Sequence, residues 1–399
     1  TRANDEAILD AAVERIRVAG VDALSMREVA DRAGLTSGAT YARYENAIEL
    51  AIDVWTRRCQ GPVMGLIADS LTLLFRPEPA RMASVARRLT KPDAVLRAGI
   101  ELLAVSRRID EFAEITEQSR AETLRAFEPV WDAAPVDERG RAIRLGGAAQ
   151  VLGGLLYAIV PGMRPIPWPT LLRWNVRSLE GATELPPGAP RASILPAISA
   201  ATGDPLRDRI VEAVGRSVSR SGVERSTISR IARRADCGIA AIYDRYPTRS
   251  ELVADAVEIL VTGLDRTSLM RYPDPAAGAF DAAADALAST VHPANAERRR
   301  LRLEIHVAAA HDPGIAAALV RAEQRAAAEA TARFRELGVE AAELAHAWVD
   351  AARIGSRGLG LVVELLPDIV DVDWRWLTQA GLQAASGDLL GRLGGASRS

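Results

Sequence analysis

Apolar positions along this chain return every three or four residues from end to end, and the strict alternation of a half-buried strand is nearly absent. The pattern predicts an all-α protein. Near the start, Ile8, Ala11, Ala12, Ile16 and Ala19 share one helical stripe, which ends at Gly20. Ser25-Met26-Arg27-Glu28 has the spacing of a capping box, in which the serine hydroxyl and the glutamate three residues on satisfy free amides at a helix start. The helix it opens is expected to bury Met26, Val29, Ala30 and Ala33. Ala33-Gly34-Leu35 reads as a tight turn, after which Thr36 or Ser37 caps a third helix running to Tyr44. A short helix, a small-residue turn and another short helix make the layout of a helix-turn-helix.

The same pattern occurs twice. Residues 8–53 run without a gap against residues 210–255, a constant offset of 202. Gly20 falls on Gly222, Ala30 on Ala232, Tyr41 to Tyr44 on Tyr243 to Tyr246, and Glu49-Leu50 on Glu251-Leu252. In the second copy Thr227 is the cap, Ile228, Ile231, Ala232 and Ala235 point inward, and Ala235 to Gly238 form the turn. Further on, Gly154 to Pro161 followed by Trp168 resembles Gly360 to Pro367 followed by Trp374, an offset of 206. Such self-similarity over a long period predicts duplication of a whole unit. The expected layout is a first helix-turn-helix domain at 1–55, a helical domain at 56–180, a linker at 181–204, a second helix-turn-helix domain at 205–256 and a second helical domain at 257–392. Pro186, Pro187, Pro190 and Pro196 mark the linker.

Composition narrows the function. A net charge of −2 excludes a uniformly basic coat, so any nucleic-acid surface must be local. Residues 227–249 hold five arginines against Asp236 and Asp244, a net of +3; residues 25–47 hold Arg27, Arg32 and Arg43 against Glu28, Asp31 and Glu45, a net of zero. Cys59 and Cys237 are too few for a disulfide framework, which suits a reducing cytoplasm. No run of apolar residues is long enough to span a membrane. His292, His306, His311 and His346 lack metal-ligand spacing, and there is no glycine-rich phosphate loop, nucleophile elbow or CxxC pair, so neither catalysis, a metal nor a cofactor is expected.

The run Ala33-Gly34-Leu35-Thr36-Ser37-Gly38-Ala39-Thr40-Tyr41-Ala42-Arg43-Tyr44-Glu45-Asn46, repeated from Ala235 to Thr248, resembles the N-terminal signature of TetR-type bacterial transcription regulators. The resemblance covers two segments of about 50 residues and implies a tandem member of that family. It departs at the opening of helix four, where a phosphate-anchoring lysine is usual: the first copy has Ala47 and the second Arg249. The resemblance implies that helices at 135–160 and 168–180 pack on those at 339–366 and 372–390 as an intramolecular pseudo-dimer. It also implies a double-stranded DNA operator as partner and an inducer pocket among the middle helices.

A helix entering the major groove needs short side chains at its N-terminal end and phosphate donors around it. The candidate DNA contacts are Arg27, Thr36, Ser37, Gly38, Ala39, Tyr41, Arg43 and Asn46 in the first copy. In the second they are Ser229, Ile239, Ala240, Ala241, Tyr243, Asp244, Arg245, Thr248 and Arg249. Because the two faces differ, an asymmetric operator with unlike half-sites is expected, read by a ligand-responsive repressor. Two alternatives are a first head serving as scaffold in a dimer of chains, and a helical ligand- or protein-binding module that does not touch DNA. Pocket candidates are Phe112, Phe127, Trp131, Tyr157 and Trp168, then His306, His311, Phe334, Trp348 and Trp374, whose mostly apolar character points to a hydrophobic inducer.

Overall fold

A computed structural model of the chain describes residues 2–106, 137–169, 171–172, 190–269, 279–336 and 342–378, with positions 108, 112, 117, 121 and 185. Among the described residues every regular element is helical. The first part comprises α1 (Arg2–Ala19), α2 (Met26–Arg32), α3 (Ser37–Tyr41), α4 (Ala47–Val54), α5 (Gln60–Phe75), α6 (Pro79–Thr90), α7 (Ala94–Val105) and α8 (Glu138–Ala158). The second comprises α9 (Pro205–Ser221), α10 (Ile228–Ala235), α11 (Ile239–Tyr243), α12 (Arg249–Leu269), α13 (Ala279–Val291), α14 (Ala296–Ala309), α15 (Pro313–Glu336) and α16 (Ala342–Leu365).

The stripe foreseen on α1 is the one that is buried: Ile8, Ala12 and Ile16 are wholly enclosed, with Val29 and Ala30 of α2 beneath them. The capping box does not form. Ser25 precedes α2 without a side-chain cap, and the Glu28 carboxylate, which would complete the box, pairs with Arg15 on α1 at 2.5 Å. In the second part the cap is present, Thr227 accepting from the Arg230 amide at 3.4 Å. The turn between the two short helices needs a left-handed residue in both places. Gly34 supplies it at φ 69°, and Asp236 at φ 50°, aspartate being among the few side chains that tolerate this conformation.

α4 continues into α5 through a π-helical turn, Trp55–Cys59, whose Trp55 and Cys59 side chains are fully buried. α7 seats on this turn at Gly99, where an added Cβ would meet Val63 at 2.8 Å and Cys59 at 3.1 Å. Burial pushes the Cys59 thiol up to about 12, which makes it a packing group rather than a nucleophile.

α8 and α16 pack along their lengths, and their backbones approach most closely at two glycines. A Cβ on Gly153 would collide with the Ile354 carbonyl, and one on Gly358 with the Ala149 carbonyl. Other glycines of these helices accommodate side chains: Gly154 lies under the Trp168 ring and Gly146 under Leu377. Gly355, one turn from the crossing, has nothing near its Cβ direction. Tyr157 of α8 extends the contact, donating to Glu323 of α15 at 2.7 Å and tilting against the His306 ring of α14 at 5.4 Å.

The segment foreseen as a linker is strapped down where it is described. Ser193 donates to Ser289 at 3.0 Å, Leu195 to Asn295 at 2.9 Å, and Pro196 accepts from Arg298 at 2.6 Å. An extended chain without a neighbouring strand must satisfy its backbone groups with side chains, and α13, α14 and the turn between them provide these.

Gly358→Ala is expected to lower stability by about 1–3 kcal/mol, the usual cost of forcing volume into a packed contact. Gly355→Ala is expected to be neutral or to stabilise by up to about 1 kcal/mol, through helix propensity alone. Urea unfolding of the two variants beside the parent chain checks the pair; equal effects would remove the close crossing.

Candidate nucleic-acid interface

Two short helices present a similar face. On α3, Thr36 caps the helix by accepting from the Ala39 amide at 3.3 Å; Gly38 and Tyr41 are exposed, and Ser37 and Ala39 are half-buried. On α11, Ile239, Ala240 and Tyr243 are exposed and Ala241 is half-buried. Tyr41, Tyr243 and Ile239 are 57%, 51% and 45% exposed, and belong to a small set of large apolar side chains left on the surface of the described residues. Both helices are anchored by the residue behind them: Thr40 and Ile242 are fully buried.

The next tyrosine serves packing in both copies. Tyr44 donates to Asp53 and Tyr246 to Asp255, each at 2.6 Å and each across nine residues. Burial and the facing carboxylate push the Tyr246 hydroxyl up to about 12, and the Tyr44 hydroxyl rises for the same reasons. Neither reaches the exposed face.

The candidate phosphate contacts are held by the protein's own groups. Arg43 pairs with Asp5 of α1 and donates to the Ala39 carbonyl at 2.8 Å. Arg245 pairs with Asp204, just ahead of α9, at 2.9 Å. Arg249 turns inward to the carbonyls of Ser226 and Val223, which fastens α12 to the turn before α10. Asn46 caps α4 through Ile48 and Glu49, and Thr248 caps α12 through Glu251, so both side chains have structural partners. Arg27, Ser229 and Asp244 are exposed beside the two short helices.

Positive charge is denser on the second head. Arg234 donates to Ser217 at 2.6 Å, and its pKa is lowered by burial and by Arg220, Arg233, Arg230 and Arg216. This five-arginine cluster includes Arg216 and Arg220 of α9, which the count over 227–249 left out because they lie on the preceding helix.

Both heads rest on one set of buried charges. Glu101 of α7 is paired with His311, just past α14, at 2.9 Å, and it also accepts from the Val21 amide. Glu304 of α14 is paired with Arg108, just past α7, at 3.0 Å, and Arg108 reaches on to Asp22 at 2.7 Å. His311 packs against Gly20 at the end of α1, and Arg108 against Gly222 at the end of α9. His311 thus acts between the helical layer and the first head.

The remaining pocket candidates are core groups. Phe112, Trp168, His306 and Trp374 are all at most 2% exposed. Phe127 and Trp131 lie outside the described residues, as do the side chains of Phe334 and Trp348.

Burial pushes the Glu304 carboxyl up to about 7 against the pull of Arg108 and Arg225, with Asp22 acting in the same direction as burial. Its pKa is thus raised in the folded chain above the ~4.3 of an unfolded glutamate. The stability linked to this proton is complete below about pH 4 and is lost as pH rises through about 7. Glu304→Gln is expected to gain about 2 kcal/mol relative to the parent between about pH 5.5 and about pH 8.5, at 1.36 kcal/mol per unit. Urea midpoints at the two pH values check this, and a pH-independent difference would remove Glu304 as the titrating group.

Residues 8–52, which contain most of α1, all of α2 and α3 and most of α4, match the family described as bacterial regulatory proteins, tetR family. No curated protein matches the chain. A crystal structure described provisionally as a transcriptional regulator of Streptomyces coelicolor A3(2) aligns at 18% identity over 44% of this chain and 96% of that one, with a TM-score of 0.34. The family match supports the first head as the helix-turn-helix of a tetR-type DNA-binding regulator.

Proposed function

We propose that the chain is a single-chain tandem regulator that binds one DNA site with two unlike heads, residues 1–55 and 205–256. The observation that carries this reading is the exposure of Tyr41 on α3 and of Tyr243 on α11, at matching positions of two helix-turn-helix layouts, with Ile239 exposed where the first copy has Ser37. An aromatic side chain kept in water on the open face of such a helix suits contact with sugar and base edges. The domains at 56–180 and 257–392 then act as the paired bodies of a pseudo-dimer, with α8 and α16 as its seam.

The arginine cluster around α10 gives the second head the larger phosphate footprint, while the first head contributes mostly shape and the small side chains of α3. Binding exchanges partners: Arg43 leaves Asp5, and Arg245 leaves Asp204, for phosphate oxygens. The two half-sites are unlike because Ser37-Gly38-Ala39 and Ile239-Ala240-Ala241 present different surfaces. Two grooves one turn apart, ~34 Å, would be read together. A ligand that alters the spacing of the heads changes affinity by its differential binding to the two states.

Selection of genomic fragments on the purified chain, followed by the mass of the recovered complex, tests the reading. One chain on a site with two unlike halves is the expected result; two chains on a palindrome would overturn it. Arg245→Ala is expected to weaken binding and to reduce the salt slope by about 0.9, the loss of one phosphate contact. Arg43→Ala is expected to act in the same direction, and an unchanged slope would exclude the residue from the interface.

A further inference from the structure

A cavity of about 70 Å³ lies among α13, α14, α16 and the strapped segment at Leu195. Five arginines line it, Arg298, Arg299 and Arg302 from α14 and Arg353 and Arg357 from α16, and among the described residues no carboxylate does. The remaining wall is largely apolar, with Leu195, Leu287 and Leu303. We propose that this cavity is a binding site for a small molecule carrying an oxyanion, a carboxylate or a phosphate, with an apolar portion against the leucines. The site does not depend on whether the heads bind DNA.

Burying guanidinium groups is costly unless each charge is answered. Arg299 and Arg353 are 8% exposed, and the Nε of each is buried without an acceptor. Arg299 donates from Nη1 to the carbonyls of both Thr290 and His292, at 3.0 and 2.7 Å, and its Nη2 faces Glu364 at 3.6 Å. Its pKa is lowered by burial in spite of Glu364. Arg353 and Arg357 share Glu323, which already accepts from Tyr157. Neither Glu323 nor Glu364 is among the residues that line the cavity.

The fold does not demand these charges. Counting by the offset that relates Glu101 to Glu304, the places of Arg298, Arg299 and Arg302 on α14 correspond to Val95, Leu96 and Gly99 on α7. Counting from Gly154 and Gly360, Arg353 and Arg357 correspond to Gly147 and Val151 on α8. The same helix pair is built there from uncharged residues: Gly99 takes Val63, and Gly147 takes Leu71 at 2.8 Å. Five guanidiniums in one half therefore mark a site, and forked donors of this kind suit a planar or tetrahedral oxyanion. Among the described residues, none of the aromatic or histidine pocket candidates lines this cavity.

Isothermal titration of the full chain with inorganic phosphate and, separately, with butyrate tests the site. Saturable one-to-one binding of either probe is expected; phosphate alone would indicate a phosphorylated ligand, butyrate alone a carboxylate. Arg299→Gln is expected to weaken it about tenfold or more, the loss of a charge-assisted contact. Arg302→Gln, at a half-buried position, gives the same readout should the first variant fail to fold. Arg233→Gln on the second head is expected to leave the affinity unchanged. Absence of saturation by both probes up to about 10 mM overturns the proposal. So does a loss in Arg233→Gln equal to that in the cavity variants, which would move the anion to the head.

Discussion

The contact on which the arrangement depends is the backbone approach of α8 and α16 at Gly153 and Gly358. With a side chain at either glycine the carbonyls of Ile354 or Ala149 would be displaced, and the helices would have to separate. Beside this contact, Tyr157 of α8 reaches Glu323 of α15 and the His306 ring of α14, and α16 also lends Arg353 and Arg357 to the cavity wall. Glycine lowers helix propensity, so the seam gives up local stability for close packing.

Above the seam, the ends of α7 and α14 place four charged groups under the heads. The pairs Glu101–His311 and Glu304–Arg108 stand 203 residues apart in both members, yet one base is an imidazole and the other a guanidinium. Each base also touches the glycine that ends the first helix of a head. The ends of α7 and α14 thus meet Gly20 and Gly222 through buried charged side chains.

Helix content, the buried stripe of α1 and the two helix-turn-helix layouts were legible in the sequence because they follow from spacing alone. The family match to residues 8–52 lies where the first of these was read. What was not legible depended on partners distant in the chain. Glu28 carries a capping-box spacing, but Arg15 on another helix takes it. Arg249 stands where a phosphate anchor is usual, but nearby carbonyls hold it. The arginine cavity was missed because its members lie on two helices about 55 residues apart, and each looks like an ordinary solvated charge on its own helix. Pocket reading favoured aromatic residues, of which Phe112, Tyr157, Trp168 and Trp374 are buried.

Joining the α8–α16 seam within one chain has a consequence for dose. A regulator assembled from two chains becomes competent with the square of its concentration when it is scarce, since two copies must first meet. If the seam closes within the chain, as the tandem reading holds, competence is first order. The second head then arrives at its half-site at an effective concentration fixed by the fold, not by expression level. Such a switch responds linearly to a few molecules per cell. Each head is also free to drift on its own, because a substitution in one is not copied into the other.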